Sequence, residues 1–382
     1  MSEPLIIGTG ISDFGRFPDL TEEALAQAAI LDALKDAGIA IRAVQAFYCG
    51  NALGGHLPGQ RALRELGTGG EAVYNVDNAC SSGATALNLA LQALRAGQYE
   101  TVVVFGMDHL SSLGGGALPM NQRDWNNRRG MIMPALYAMR AKRYMHDHGI
   151  PIETLADVSV KNRRHGMLNP IAKFCREVTR EEVLASRMVA DPLTLLQCCP
   201  AVVDGAAALV LSTRSWRGAA TPVRVLASVA QSGLFEVCQV DMTEAEITRR
   251  AVRLAYEQAG VGPQDLSVIE LHDAFTISEL LYYEALGLCG HGEAAQLLAS
   301  GATALGGRIP VNPSGGLIAK GHPPGATGVA QIVELCEQLQ GRAGRRQVPG
   351  ARLGLSQVTG GGIWGVDHAA CSIHILETAR DF

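Results

Sequence analysis

Residues 22–37 (EEALAQAAILDALKDA) place Leu25, Ala26, Ala29, Ile30, Ala33 and Leu34 on one side of a 3.6-residue period. That pattern predicts an amphipathic helix, stopped at Ala37-Gly38 and followed by a polar turn and a short apolar strand. Residues 244–272 repeat the order, with the stop at Ala259-Gly260 and an apolar strand from Leu266 to Leu271. A second pair of segments matches. Gly83-Ala84-Thr85 and Gly325-Ala326-Thr327 each open a long apolar helix, 83–95 and 325–339. Each helix leads into a strand, 101–106 or 352–358. Two matches in the same order predict one α/β unit written twice, with an N-terminal half over 1–220 and a C-terminal half over 221–382. Alternating strands and helices predict mostly parallel sheets. If the halves pack around a pseudo-twofold axis, Cys80 and His322 occupy equivalent corners at helix N-termini and face one another.

Residues 112–200 do not fit the repeat. From 123 to 187 they carry thirteen Lys/Arg against seven Asp/Glu, in a chain whose net charge is −5. A basic patch on an acidic protein suits a phosphorylated ligand, with Arg123, Arg128, Arg129, Arg140 and Arg143 as candidate contacts. The overall acidity argues against a nucleic-acid partner. Hydrophobic residues at 47% and charged residues at 18% exclude a disordered chain. No apolar run reaches membrane-spanning length, and the ends carry no recognisable targeting signal, so a cytoplasmic protein is expected. The nine cysteines lack metal-ligand spacing, so free thiols and no metal are expected. The 44 glycines belong to tight turns and close backbone approaches.

Four segments carry candidate chemistry. Cys80 precedes a helix that is apolar nearly all round, and the positive end of the helix dipole favours thiolate there. His322 lies in Gly321-His322-Pro323-Pro324-Gly325, a rigid loop suited to a general base. His272 follows a buried strand and opens His272-Asp273-Ala274-Phe275, with Asp273 also able to cap a helix. Thr359-Gly360-Gly361-Gly362 can expose successive N–H groups to an anion. A thiol, two histidines and an N–H-rich loop form the set that covalent acyl transfer needs. Gly8-Thr9-Gly10-Ile11-Ser12-Asp13 lacks the third glycine of a dinucleotide fingerprint.

On these residues the chain resembles the thiolase superfamily. Asn78-Ala79-Cys80-Ser81-Ser82-Gly83 is similar to its nucleophile motif, and Gly321–Gly328 to its glycine-histidine-proline motif. His272-Asp273-Ala274-Phe275 resembles the sterol-carrier-protein type and its bacterial and archaeal relatives, the acetyl-CoA acetyltransferase-like proteins. The resemblance implies a five-layered α-β-α-β-α fold of two halves with an inserted loop region. It implies coenzyme A or acyl-CoA as substrate, its phosphates on the basic stretch, and no permanently bound cofactor. It also implies a homodimer or homotetramer. Cys80 would carry the acyl group and His322 would activate it. His272 and His322 would polarise the thioester oxygen, and the N–H groups of Cys80 and Gly360 would form a second oxyanion hole. The reaction would be thiolytic cleavage or Claisen condensation of a 3-oxoacyl-CoA.

The chain departs from the family pattern in one respect. The second catalytic cysteine is missing from both of its usual places, filled here by Val358 and Ala274. Cys289 is a candidate substitute; Cys198, Cys199, Cys336 and Cys371 read as packing residues. An alternative follows: a thiolase-like subunit of an acyl-transfer complex, held with a small OB-fold, zinc-ribbon acyl-CoA-binding subunit. A decarboxylating ketosynthase is a further alternative.

Overall fold

The computed structural model describes residues 3–114, 128–200, 202–214, 221–234, 241–362 and 368–379. The first half runs β1 (Leu5–Ile11), α1 (Glu22–Ala37), β2 (Ala46–Gly50), α2 (Pro58–Leu63), β3 (Ala72–Val76), α3 (Ser82–Arg95) and β4 (Thr101–His109). An insertion follows, with α4 (Met133–His148), α5 (Ile152–Gly166), α6 (Arg180–Ala185) and a hairpin of β5 (Met188–Ala190) and β6 (Leu193–Thr194). β7 (Asp204–Ser212) closes the half. The second half runs β8 (Val223–Ser232), α7 (Glu246–Ala259), β9 (Val268–Glu270), α8 (Thr276–Ala285), α9 (Ala294–Ala299), α10 (Gly316–Ala319), α11 (Pro324–Leu339), β10 (Leu353–Gly360) and β11 (Ala370–Thr378). α1 and α7 end where the sequence pattern ends them, at Gly38 and Gly260, with φ of 68° and 66°. That left-handed conformation is the usual glycine stop of a helix.

The strands order as β3-β2-β4-β7-β1-β8-β11-β10-β9. The order is palindromic about the β1–β8 contact. β2 runs parallel to β3 and β4, while β7 is antiparallel to β4 and β1. In the second half β9 is parallel to β10 and bridged in parallel at Ile269 by Val311, while β11 is antiparallel to β10 and β8. The halves meet edge to edge through Leu5–Arg224 and Ile6–Val223.

The sheet is therefore mixed, not mostly parallel as the alternation of elements suggested. Residues 361–369 between β10 and β11 are too few for a helical crossover, so those strands must run antiparallel. Both sheet faces are covered, so the strands read as continuous apolar runs that carry no sign of direction.

The sheet folds its halves over a helical middle layer. α3 and α11 share a core with one face of both halves, including Val102, Val104 and Leu209 from one and Val225, Val268 and Leu376 from the other. α1 covers the outer face of the first half through Leu25, Ile30 and Leu34 on Val103, Phe105 and Val210. α7 and α8 cover the outer face of the second through Ala251, Val252 and Leu280 on Ile373 and Ile375. The layers are thus α-β-α-β-α. α3 and α11 approach at backbone distance. A Cβ on Gly83 would lie 2.4 Å from the Gly325 carbonyl oxygen, and one on Gly328 would lie 2.6 Å from the Ala84 nitrogen. No side chain larger than hydrogen fits at Gly83 or Gly328, and a Cβ on Gly325 would lie 2.6 Å from the Met107 carbonyl oxygen, so both copies of Gly-Ala-Thr need their glycine.

Candidate active site

The crossing of α3 and α11 sets two helix starts side by side. Cys80 lies just before α3, in a tight turn where Ala79 has φ 50° and Ser82 Oγ accepts from the Asn78 amide at 2.9 Å. His322 lies just before α11, and its Nε2 is 3.2 Å from Cys80 Sγ. The facing of thiol and imidazole expected from the repeat is present.

The imidazole is held from behind. Its Nδ1 lies 2.7 Å from Thr327 Oγ1, and that hydroxyl lies 2.8 Å from the Pro323 carbonyl oxygen. A carbonyl oxygen only accepts, so Thr327 donates to it and accepts from His322 Nδ1–H. The proton then sits on Nδ1, and the bare Nε2 faces the thiol. Thr85 of the first half bonds its own helix in the same way, at 3.0 Å from the Ser81 carbonyl oxygen. There it receives Asn78 Nδ2 at 3.1 Å.

Two buried carboxylates fix the approach. Asp108, at the end of β4, accepts from Gly325 N at 2.5 Å and Leu53 N at 3.0 Å, tying the first turn of α11. Burial raises its pKa to about 7. Asp273 accepts from Leu317 N at 2.7 Å and Asn162 Nδ2 at 2.8 Å, so it caps α10 and steadies the loop before His322. Burial likewise raises it to about 7, with Glu279 adding to the effect.

His272 completes the site. Its Nδ1 lies 3.1 Å from Thr359 Oγ1, and its ring meets the His322 ring edge-on, centroids 5.0 Å apart. Its Nε2 is buried with no hydrogen-bond partner, and the residue is 5% exposed. The donor atoms of Cys80, His272 and His322 lie within 4.8 Å of one another. Among the described residues this trio is the one group with the donor types and spacing to hold a metal ion. Gly360, at the end of β10, packs on the turn that carries Cys80: a Cβ there would lie 2.0 Å from the Asn78 carbonyl oxygen. The N–H groups of Gly361 and of Cys80 itself reach the sulfur.

Charge at the site differs from the helix-dipole expectation. Burial, helped by Asp108, pushes the Cys80 thiol up to about 12. Burial, then Lys320, pulls His322 down to about 3. His272 is also held well below its ordinary value by burial, then by His322 and His368. Thiol and imidazole are therefore both neutral near pH 7. The dipole end is present, but desolvation outweighs it.

The basic stretch fares differently. Arg140 is 2% exposed and donates to the carbonyls of Met242 at 2.8 Å and Glu244 at 2.7 Å. Its guanidinium is spent on backbone inside the protein, which removes it from the phosphate contacts. Arg143 is exposed and paired with Asp147 at 2.6 Å. Arg128 and Arg129 are exposed. Arg123 lies outside the described residues. Other bases of the stretch pair locally, as Arg180 with Asp157 at 2.9 Å and Arg176 with Glu182 at 3.2 Å. Burial was the missing information, and net charge does not report it.

The thiols sort as follows. The eight described cysteines are free. Cys289 follows the C-terminal end of α8, whereas His272 precedes its N-terminal end, so about 15 Å of helix separates them. Cys289 does not replace a site thiol. Cys199 lies nearer: its amide donates to the Ala274 carbonyl at 2.8 Å, and its thiol feels the charge of Cys80 and Asp273. Sequence reasoning read Cys199 as a packing residue and passed over Thr327 and Asp108. For Thr327 a signal existed, its equivalence to Thr85 in the repeat.

Comparison with known proteins agrees with this geometry. Residues 5–215 match the thiolase N-terminal domain, and residues 231–374 match the thiolase C-terminal domain-like family. The chain is 41% identical over 377 residues to benzoylsuccinyl-CoA thiolase subunit BbsB of Thauera aromatica, covering 96% of this chain and 97% of that one. It is 38% identical over 387 residues to human sterol carrier protein 2, covering 93% of this chain and 69% of that one. Among solved structures, an Ltp2-ChsH2(DUF35) aldolase superposes with a TM-score of 0.85 at 26% identity, over 99% of this chain and 98% of that chain. With its duplicated sheet, its crossed glycine helices and its thiol–imidazole pair, the chain belongs to the thiolase family and is a thiolase-type acyltransferase.

Proposed function

We propose that the protein moves acyl groups to and from coenzyme A through an acyl-Cys80 intermediate. The observation that carries this reading is the 3.2 Å contact between Cys80 Sγ and a His322 Nε2 whose tautomer Thr327 sets. His322 Nε2 takes the thiol proton as sulfur attacks the thioester carbon. The oxygen of the tetrahedral intermediate is met by His272 and by the N–H groups around Cys80. Collapse expels the CoA thiolate, which leaves with the proton from His322. A neutral resting pair suits a buried site, because charge appears only when substrate brings an electrophile.

The second half-reaction is thiolytic cleavage of a 3-oxoacyl-CoA or its reverse, the Claisen condensation. No permanent cofactor is required. The exposed Arg128, Arg129 and Arg143, with Arg123, are the arginines left to meet CoA phosphates. Free thiols and the absence, among the described residues, of a helix able to cross a membrane support a cytoplasmic setting. Dimers or tetramers are the assembly we expect.

A second reading has its own support. Ala274 and Val358 leave the site without the second thiol, one relative is named as a subunit, and one structural neighbour is a two-component DUF35 assembly. The chain would then act with a small OB-fold, zinc-ribbon subunit that helps hold the acyl-CoA. The test is CoA release from acetyl-CoA, hexanoyl-CoA and benzoyl-CoA, followed with a thiol dye. The first reading expects about one equivalent of CoA per active site from the chain alone, and none from Cys80→Ala. Release only after the small subunit is added supports the second reading. Equal release from Cys80→Ala overturns both.

A further inference from the structure

The site holds two neutral imidazoles, and its chemistry needs opposite things of them. His322 must accept the Cys80 proton, whereas the oxygen that gains charge on the attacked thioester needs a donor. Burial keeps His272 neutral, so it carries one N–H and one bare nitrogen. Two residues of β10, Gln357 and Thr359, lie two apart and so share a face of that strand. Both reach His272. Gln357 Oε1 accepts from the His272 amide at 3.0 Å, and Thr359 Oγ1 lies 3.1 Å from its ring Nδ1. Tyr282 Oη, from α8, lies 3.0 Å from the same hydroxyl. All four residues are buried. His272 Nε2, on the other side of the ring, is buried with no hydrogen-bond partner, and His272 has a donor atom within 4.8 Å of those of Cys80 and His322.

The direction of the Tyr282–Thr359–His272 chain follows from its donors. Thr359 has one hydrogen to give. If His272 Nδ1–H donated to Thr359, Thr359 would donate to Tyr282, and the phenol hydrogen would be left over, because among the described residues Tyr282 Oη has Thr359 as its one hydrogen-bond partner. In the other direction Tyr282 donates to Thr359 and Thr359 to a bare Nδ1, so both hydroxyl hydrogens are used, as burial demands. A phenol is also the stronger acid of the two hydroxyls and so the better donor. The His272 proton then sits on Nε2. We propose that Thr359 and Tyr282 are positioning residues that hold His272 as its Nε2–H tautomer, the opposite of His322, so that one histidine is the base for Cys80 and the other a fixed hydrogen-bond donor to the acyl oxygen. The proposal rests on the acyl-Cys80 reading and assigns the groups that prepare its oxyanion site. Each tautomer is set by a threonine. Thr327 accepts from His322 Nδ1–H because its own hydrogen goes to the Pro323 carbonyl. Thr359 donates to His272 Nδ1 because Tyr282 donates to it. As sulfur attacks, the carbonyl π electrons move onto oxygen, the thiol proton goes to His322, and the His272 proton stays on Nε2. A bare Nε2 would set its lone pair against that oxygen.

Two reactions of Cys80 separate the roles. Alkylation by iodoacetamide needs the thiol proton to leave but builds no oxyanion, whereas acylation by acetyl-CoA needs both. Wild type, Thr359→Val, Thr359→Ser and Tyr282→Phe are mixed with each reagent, and adduct at Cys80 is timed by acid quench, intact mass and peptide mapping. Expected in Thr359→Val is acylation slowed about tenfold to a hundredfold beside alkylation at the wild-type rate. Tyr282→Phe shows the same split to a smaller degree, and Thr359→Ser, which keeps the hydroxyl, acylates close to the wild-type rate. Wild-type acylation in Thr359→Val overturns the proposal and leaves the acyl-enzyme intact. Equal losses of acylation and alkylation in Thr359→Val and Tyr282→Phe reduce both residues to packing and overturn it too. Wild-type acylation in Tyr282→Phe overturns the direction of the chain. No acyl adduct on wild type beside normal alkylation overturns the acyl-Cys80 reading, and the proposal with it.

Discussion

The two halves of the sheet share one strand order and one helix crossing but differ in two places. At the helix start the first half carries a thiol and the second an imidazole. Thr85 and Thr327 make the same bond to the carbonyl four residues back, at 3.0 and 2.8 Å. In the first half that threonine steadies Asn78, in the turn below Cys80, and in the second it steadies His322. Duplication thus built two equal anchors, and divergence of one residue at each made an acid–base pair. The other difference is between strands. Residues 110–203 separate β4 from β7, whereas 361–369 separate the equivalent β10 from β11. The longer connection carries α4 and α5, which pack on α8 and bring Tyr137, Asn162 and Lys161 to the second half. The first half supplies nucleophile and cover, and the second supplies proton chemistry.

The largest expected effect breaks the pair itself. Cys80→Ala should lower acyl transfer about 10⁴-fold or more, and His322→Ala about 10²- to 10⁴-fold, in initial-rate assays. Their double variant should be little worse than Cys80→Ala alone, since the two groups act together. Additive losses would mean the halves work separately.

Acid should strike the second half first. His322 and His368 are held near 3, His374 near 4 and His272 well below its ordinary value, in each case chiefly by burial. Unfolded, these groups bind protons near pH 6.5, so native stability is full above that value and is lost as pH falls towards 4. Asp108 and Asp273, raised to about 7, act oppositely: their contribution is present at low pH and fades as pH rises through 7. Thermal melts between pH 4 and 8 should show a steep acid limb, made shallower by His374→Gln. An unchanged slope would count against neutral burial of that histidine.

The glycine crossing gives the next effect. Gly83→Ala drives a methyl into the Gly325 carbonyl and should cost about 1–3 kcal/mol in denaturant unfolding. Alanine at Gly38, with open space but φ 68°, should cost about 1 kcal/mol. Thr327→Val frees the His322 tautomer and should slow acylation about tenfold, with Thr327→Ser close to wild type. The smallest effect separates two arginines of one helix. Arg140→Ala removes a buried side chain and its bonds to the Met242 and Glu244 carbonyls and should cost about 1–3 kcal/mol, whereas Arg143→Ala should stay within about 0.5 kcal/mol. Equal destabilisation would contradict the inside-and-outside placement.

Much of this arrangement was legible beforehand. The Ala-Gly stops and the paired Gly-Ala-Thr segments mark the repeat because glycine is required there by conformation or by contact. The facing of Cys80 and His322 follows from the repeat once the halves pack around a pseudo-twofold axis. Strand direction did not follow, because a strand buried on both faces is apolar whichever way it runs. Arg140 is buried on backbone carbonyls and Arg143 is exposed, yet they sit three positions apart on one helix and only packing separates them. The thiolate expected at Cys80 failed for a related reason: the dipole is visible in the helix pattern, while desolvation is a property of the folded surroundings. Thr359 and Tyr282 line up behind His272, and Tyr137 meets His368, only because elements distant in sequence converge, and no local spacing records that.

The central claim is that the pair across the pseudo-twofold axis carries the acyl group. Acid quench after incubation with acetyl-CoA, followed by peptide mapping, tests it most directly. The account predicts a single acetyl group on the peptide containing Cys80, present in wild type, strongly reduced in His322→Ala and absent from Cys80→Ala. An acetyl group on Cys199 or another cysteine, or one that His322→Ala leaves undiminished, would contradict it.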